Sequence, residues 1–147
     1  MPPEHGRPVH PVPQNAMQAR DRVRSLIETS GIVPDGSTAA DHVLTDALLV
    51  TSELVTNAIR HGGGLVGFSA SVSADGLRLA ITDASSDRPV TLPRPAGAVR
   101  AGGFGWPLVR RLTRSVTIRP TPQGGKRIEV VMPLDAAATP DGPPDRP

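Results

Sequence analysis

Cysteine and tyrosine are absent from the 147 residues, lysine occurs once, at Lys126, and the only aromatic side chains are Phe68, Phe104 and Trp106. Without cysteine there is no disulfide scaffold, no thiolate metal site and no cysteine nucleophile. The longest purely apolar run is about four residues, Ala47 to Val50, far short of the roughly 20 that a membrane-spanning helix needs. The first thirty residues hold no apolar core of a secretory signal. A soluble, cytoplasmic protein is expected. The shortage of titrating groups also explains why a formal net charge of only +2 accompanies a pI near 10.3. Arginine supplies fifteen of the sixteen basic residues, so almost nothing buffers between neutrality and about pH 12. A dense basic face with stacking aromatics, the mark of a nucleic-acid binder, is missing. Neither nucleic acid nor membrane is expected as a partner.

Proline is plentiful but uneven: of seventeen, five lie in residues 1–15 and four in 140–147. Such ends bury too little apolar surface to offset the entropy of ordering. Three segments follow: a flexible N-terminal stretch at 1–15, one folded domain at 16–135, and a disordered tail at 136–147. Pro8 to Pro13 could lie along the domain as an edge segment. Within the domain Ala19, Val23, Leu26 and Ile27 keep helical spacing before Gly31. Ala39 to His61 reads as a long second helix stopped by Gly62-Gly63-Gly64. Leu65 to Val72 and Leu77 to Thr82 read as strands joined at Ala74-Asp75-Gly76. Ser85 to Gly103, with three prolines and three glycines, predicts a long functional loop. Trp106 to Arg114 is a short helix, and Val116 to Arg119 with Arg127 to Met132 a second hairpin. The order implies an α+β fold, with helices on one face of a largely antiparallel sheet.

Three segments carry polar groups of chemical interest. On the second helix Glu53 and Asn57 lie one turn apart on one face, opposite an apolar stripe of Leu44, Ala47, Leu48, Thr51, Val55 and Ala58. Leu49 and Val50 flank the polar strip, as if the helix were covered on more than one side. A carboxylate and an amide there can accept a proton and ligate a hard cation; they equally suit a solvated helix face. Asp83 ends the alternation of Leu77, Leu79 and Ile81, either as a turn former or as an acceptor for a ligand amino group. Gly102-Gly103-Phe104-Gly105 opens the short helix, where backbone N–H groups can meet phosphate oxygens, although loops and caps use the same residues. No strand runs into these glycines, so they are not a dinucleotide fingerprint.

Taken in this order and spacing, the segments resemble the GHKL (Bergerat-fold) ATPase and kinase superfamily. Ser-Glu-Leu-Val-Thr-Asn-Ala-Ile-Arg-His-Gly at 52–62 is similar to its N-box. Asp83 falls where its adenine-binding aspartate stands, and Gly103 to Val109 resembles its Gly-x-Gly-x-x-Leu-Val box. The likeness runs from about His10 to Leu134 and is greatest to the small anti-sigma-factor serine/threonine kinases of the RsbW and SpoIIAB type. It implies a two-layer α/β sandwich, helices on one face of a mixed, largely antiparallel sheet, that binds ATP and Mg²⁺. Glu53 would be the general base and Asn57 the magnesium ligand. Asp83 would accept from the adenine amino group, and Gly103 and Gly105 would cradle the phosphates, with Ser85, Leu108 and Arg127 completing the nucleotide contacts. His61 could line the phosphate end, or simply favour the helix C-terminus. The partners implied are a sigma factor and a STAS-type anti-anti-sigma protein, and the protein itself would be a homodimer.

Three positions depart from the family pattern: Ser85 replaces a glycine, Arg127 a threonine, and Pro107 removes a backbone donor from the glycine box. They motivate a second expectation, an ATP-responsive switch that binds its partner without efficient phosphoryl transfer. The exposed arginines Arg110, Arg111 and Arg114 suit a partner-docking patch or a solvated helix face.

Overall fold

A computed structural model describes residues 11–31, 38–86 and 105–134. Residues 1–10, most of the 85–103 loop and the tail from 135 onward lie outside the described residues, with Gly102, Gly103 and Phe104 among them. Pro11 to Pro13 form no strand. Instead the Arg22 guanidinium donates to the Pro11 carbonyl, which sets this segment against the first helix.

The first helix, α1 (Ala16–Ser30), starts where the Asn15 side chain accepts from the Gln18 N–H and stops at Gly31, whose left-handed φ of 71° no β-carbon residue adopts cheaply. Ala19, Val23 and Ile27 form its buried stripe. The second helix, α2 (Thr38–His61), buries Ala47, Thr51, Val55 and Ala58 as their spacing predicts, with Leu44 and Leu48 packed at the margin. Val50 and Leu54 are also fully buried, so the apolar surface wraps further round the helix than one stripe. The cause is position: α2 packs against both α1 and the sheet, and a helix covered on two sides needs two apolar stripes. Thr51 is buried without penalty because its hydroxyl donates to the Ala47 carbonyl at 2.8 Å.

The sheet consists of β1 (Leu65–Ser73), β2 (Gly76–Asp83), β3 (Ser115–Pro120) and β4 (Lys126–Met132), in the spatial order β1-β2-β4-β3. Every pairing among the described residues is antiparallel, in keeping with the α+β fold and largely antiparallel sheet expected from the sequence. The β1–β2 hairpin turns at Ala74-Asp75. Gly76 is required there, because its φ is 120° and a β-carbon would run into the Met132 carbonyl. The third helix, α3 (Gly105–Leu112), is shorter than its sequence suggests. The Arg114 N–H is captured by the Val131 carbonyl at 2.7 Å, and β3 begins at once.

Leu77, Leu79 and Ile81 of β2 and Ile128, Val130 and Met132 of β4 face the helices and are essentially inaccessible. The opposite face carries Arg78, Thr117, Arg119 and Arg127, all exposed. One face of the sheet therefore holds the core and one meets solvent, as antiparallel sheets permit. The phenyl ring of Phe68 on β1 lies under the Arg22 guanidinium at 5.7 Å. No helix among the described residues is long and apolar enough to cross a membrane.

Leu79 lies in the middle of the core, so Leu79→Ala should cost about 2–5 kcal/mol in a denaturant titration. Val66→Ala, at 55% exposure, should stay within about 0.5 kcal/mol.

Candidate functional site

The end of α2 and the end of β2 are stitched together. Both Gly62 and Gly64 donate to the Ala58 carbonyl, closing the helix, and the Ala84 N–H donates back to the Gly62 carbonyl at 2.9 Å. This places Asp83 directly against Gly62. A β-carbon at Gly62 would overlap the Asp83 carboxylate, and one at Gly125 would run into the Asp83 main-chain carbonyl. Both glycines are therefore needed for close approach, a role their sequence context does not announce.

Asp83 is buried, at 3% exposure, on the inner face of β2. Its Oδ1 accepts from the Ser85 N–H at 3.1 Å, so Ser85 meets the site through its backbone. Directly across the sheet stands Lys126, paired with Asp83 in register and itself 6% exposed. The Lys126 ammonium lies 2.9 Å from Asp83 Oδ2 and 3.2 Å from Oδ1, and donates to the Ser85 carbonyl at 3.3 Å. Two buried charges compensate one another, and removing either partner would leave the other unpaired, at about 3–5 kcal/mol.

Arg127 does not join this group. Strand alternation turns it to the outer face, where its Nε meets Glu129 Oε2 at 2.9 Å, and this corrects its assignment as a nucleotide contact. Arg127 and its neighbours Arg78 and Arg119 hold the Glu129 carboxyl below its ordinary range. Lys126, unassigned on sequence, is the residue that turns inward. The signal was available, since Lys126 shares the period-two phase of Ile128, Val130 and Met132.

Along α2 from Gly62, five residues or about 7.5 Å back, comes Asn57, half-buried, with no side-chain hydrogen bond among the described residues. One turn further lies Glu53, whose Oε1 accepts from the Gly105 N–H at 3.2 Å. Gly105 is the first residue of α3 and takes a φ of 52°, so the carboxylate sits at a helix N-terminus. Burial pushes the Glu53 carboxyl above its ordinary value of 4.5, while the Gly105 N–H and the Arg60 charge pull it back. Trp106, next to Gly105, is buried in the core, with the Arg110 guanidinium 5.9 Å from its ring. Leu108, one turn on from Gly105, is half-buried, and His61 is exposed at the end of α2. Gly103 lies outside the described residues.

The site thus offers a buried acceptor at one end and a raised-pKa carboxylate beside a helix N-terminus at the other. Between them, the Asn57 amide oxygen accepts no hydrogen bond among the described residues. Among the described residues no three acidic or histidine side chains gather to hold a metal by themselves. A cation at Asn57 would need oxygens from a ligand to complete its shell.

Gly62→Ala should push Asp83 off its pinned position and lower stability by about 1–3 kcal/mol in thermal melts. Glu53→Gln has a pH signature. A carboxyl raised above 4.5 contributes stability that is fully present below that pH and lost as pH rises through the folded-state value. The Glu53→Gln variant should match wild type below about pH 4.5 and melt higher than wild type at neutrality.

The family model for the histidine kinase-like ATPase domain matches residues 10–132 of the chain. No curated protein and no solved structure matches it.

Proposed function

The chain belongs to the histidine kinase-like ATPase domain family, and from that premise we propose that it is an ATP-binding anti-sigma regulatory factor with serine/threonine kinase activity. It would sequester a sigma factor and phosphorylate a STAS-type anti-anti-sigma protein. The observation that carries the catalytic part is Glu53: a carboxylate pushed up by burial, one turn from Asn57, hydrogen-bonded to the N-terminus of α3. The sigma factor, the antagonist and a homodimeric state are supported by the sequence likeness.

An elongated ligand fits the arrangement, with its base at Asp83 and its phosphate chain at Gly105. Asp83 offers an acceptor to an amino group, and the Gly105 N–H offers a donor to a phosphate oxygen. Asn57 is the residue that would hold Mg²⁺, which when bound neutralises charge on the phosphates. In transfer, the Glu53 carboxylate takes the proton of a serine or threonine hydroxyl as that oxygen bonds to the γ-phosphorus. The bond from phosphorus to the β–γ bridging oxygen breaks and ADP leaves. Positioning and charge neutralisation supply most of such catalysis. A raised carboxyl value suits a proton acceptor working near neutrality.

A second reading rests on a different observation. Asp83 already holds Lys126, and the Gly105 N–H already holds Glu53. A site so occupied suits a nucleotide-responsive switch that transfers phosphate poorly.

Saturating Mg-ATP at about 100 times Kd should stabilise the protein by about 2.7 kcal/mol, visible as a thermal shift or through the single tryptophan, Trp106. Asn57→Ala should abolish the magnesium-dependent part of that shift. Glu53→Gln should keep binding but lose γ-phosphate transfer to a cognate antagonist by a factor of at least about 100. Binding without transfer by the wild type would favour the switch. No ATP-dependent shift at all would end both readings.

A further inference from the structure

We propose that Lys126 is the residue that sets base selectivity, by fixing Asp83 so that it presents one acceptor and no donor. The inference rests on the nucleotide-binding reading above and goes beyond it by assigning a role to a side chain on the strand facing Asp83.

Hydrogen-bond counting carries the argument. A carboxylate has about four acceptor positions, and an ammonium three protons and no acceptor. Asp83 Oδ1 accepts from the Ser85 N–H and from Lys126, and Oδ2 accepts from Lys126. One position remains, on Oδ2, and no hydrogen bond among the described residues fills it. Oδ2 is also the atom that a β-carbon at residue 62 would strike, so Gly62 keeps its flank clear. The three protons of Lys126 meet three acceptors, Asp83 Oδ2, Asp83 Oδ1 and the Ser85 carbonyl. None is left for a ligand carbonyl.

Such a site accepts a purine carrying an amino group at its six position, which donates one N–H to Oδ2. It disfavours a six-oxo purine, whose carbonyl would face a carboxylate oxygen with no donor from the described residues at hand. Sites built around a hydrogen bond discriminate strongly, because the mismatched partner leaves a buried polar group unpaired. The selectivity depends on Lys126 because a buried carboxylate without it can rotate about its side-chain bonds. Lys126 is thus a positioning residue that acts through Asp83. Arg127, next in sequence, cannot substitute, since it stands on the other face of the sheet with Glu129.

The test compares Mg-ATP with Mg-ITP, which differ at the six position, by thermal shift and Trp106 fluorescence on the full chain. Wild type should prefer ATP at least about 100-fold. Lys126→Met should reduce that ratio at least about tenfold, chiefly by weakening ATP, while Lys126→Arg should restore part of it. If Lys126→Met does not fold, Lys126→Gln, neutral but still a donor, is read in the same way. A folded, neutral variant whose ATP-to-ITP ratio equals that of wild type overturns the inference and leaves ATP binding standing. A wild type that binds neither nucleotide overturns ATP binding and this inference together.

Discussion

The ion pair between Asp83 and Lys126 ties β2 to β4 at the point where α2 ends, and much of the molecule is arranged around it. Both charges are buried, so each must stay with its partner. Gly62 and Gly125 leave room for the carboxylate and its main chain, and the Ala84 N–H binds the α2 terminus alongside. A shift of any one of these elements would strand a charge or force a clash. The end of the site is held by that mutual constraint.

The second dependence is on α2, which does two jobs along one axis. Val50, Leu54, Val55 and Ala58 bury it between α1 and the sheet, so its position is set by packing. Glu53 and Asn57 ride on the remaining face and inherit that rigidity. Functional groups on a helix locked by its core face are placed more exactly than groups on a loop. The Glu53 contact to Gly105 then links α2 to the start of α3.

Each end of the site holds an internal partner of the same chemical kind as the ligand group expected there. The Lys126 ammonium donates to Asp83 as an amino group would, and the Glu53 carboxylate accepts from Gly105 as a phosphate oxygen would. Buried polar groups are rarely left unsatisfied, and here the protein satisfies them itself. The two contacts differ in consequence. Asp83 keeps an acceptor position beside Lys126, whereas a phosphate oxygen must share or replace the Glu53 bond.

Much of this was legible in the residues. The helical spacing of Ala19, Val23 and Ile27, the glycine stops at Gly31 and Gly62, and the alternation of Leu77, Leu79 and Ile81 are local signals, and local geometry decides them. So is the one-turn separation of Glu53 and Asn57. What remained hidden depends on contacts between segments far apart in the chain. The burial of Leu54, and the exposure of Leu49 where Val50 beside it is buried, follow from how α2 lies between two layers. The early end of α3 follows from the Val131 carbonyl taking the Arg114 N–H. Lys126 and Arg127 show the division most sharply. Their order in the chain, and the alternation that sends neighbours to opposite faces, belong to the sequence. That Lys126 meets Asp83 while Arg127 meets Glu129 was decided by the β2–β4 register, because only pairing across 43 residues brings a buried cation opposite a buried carboxylate.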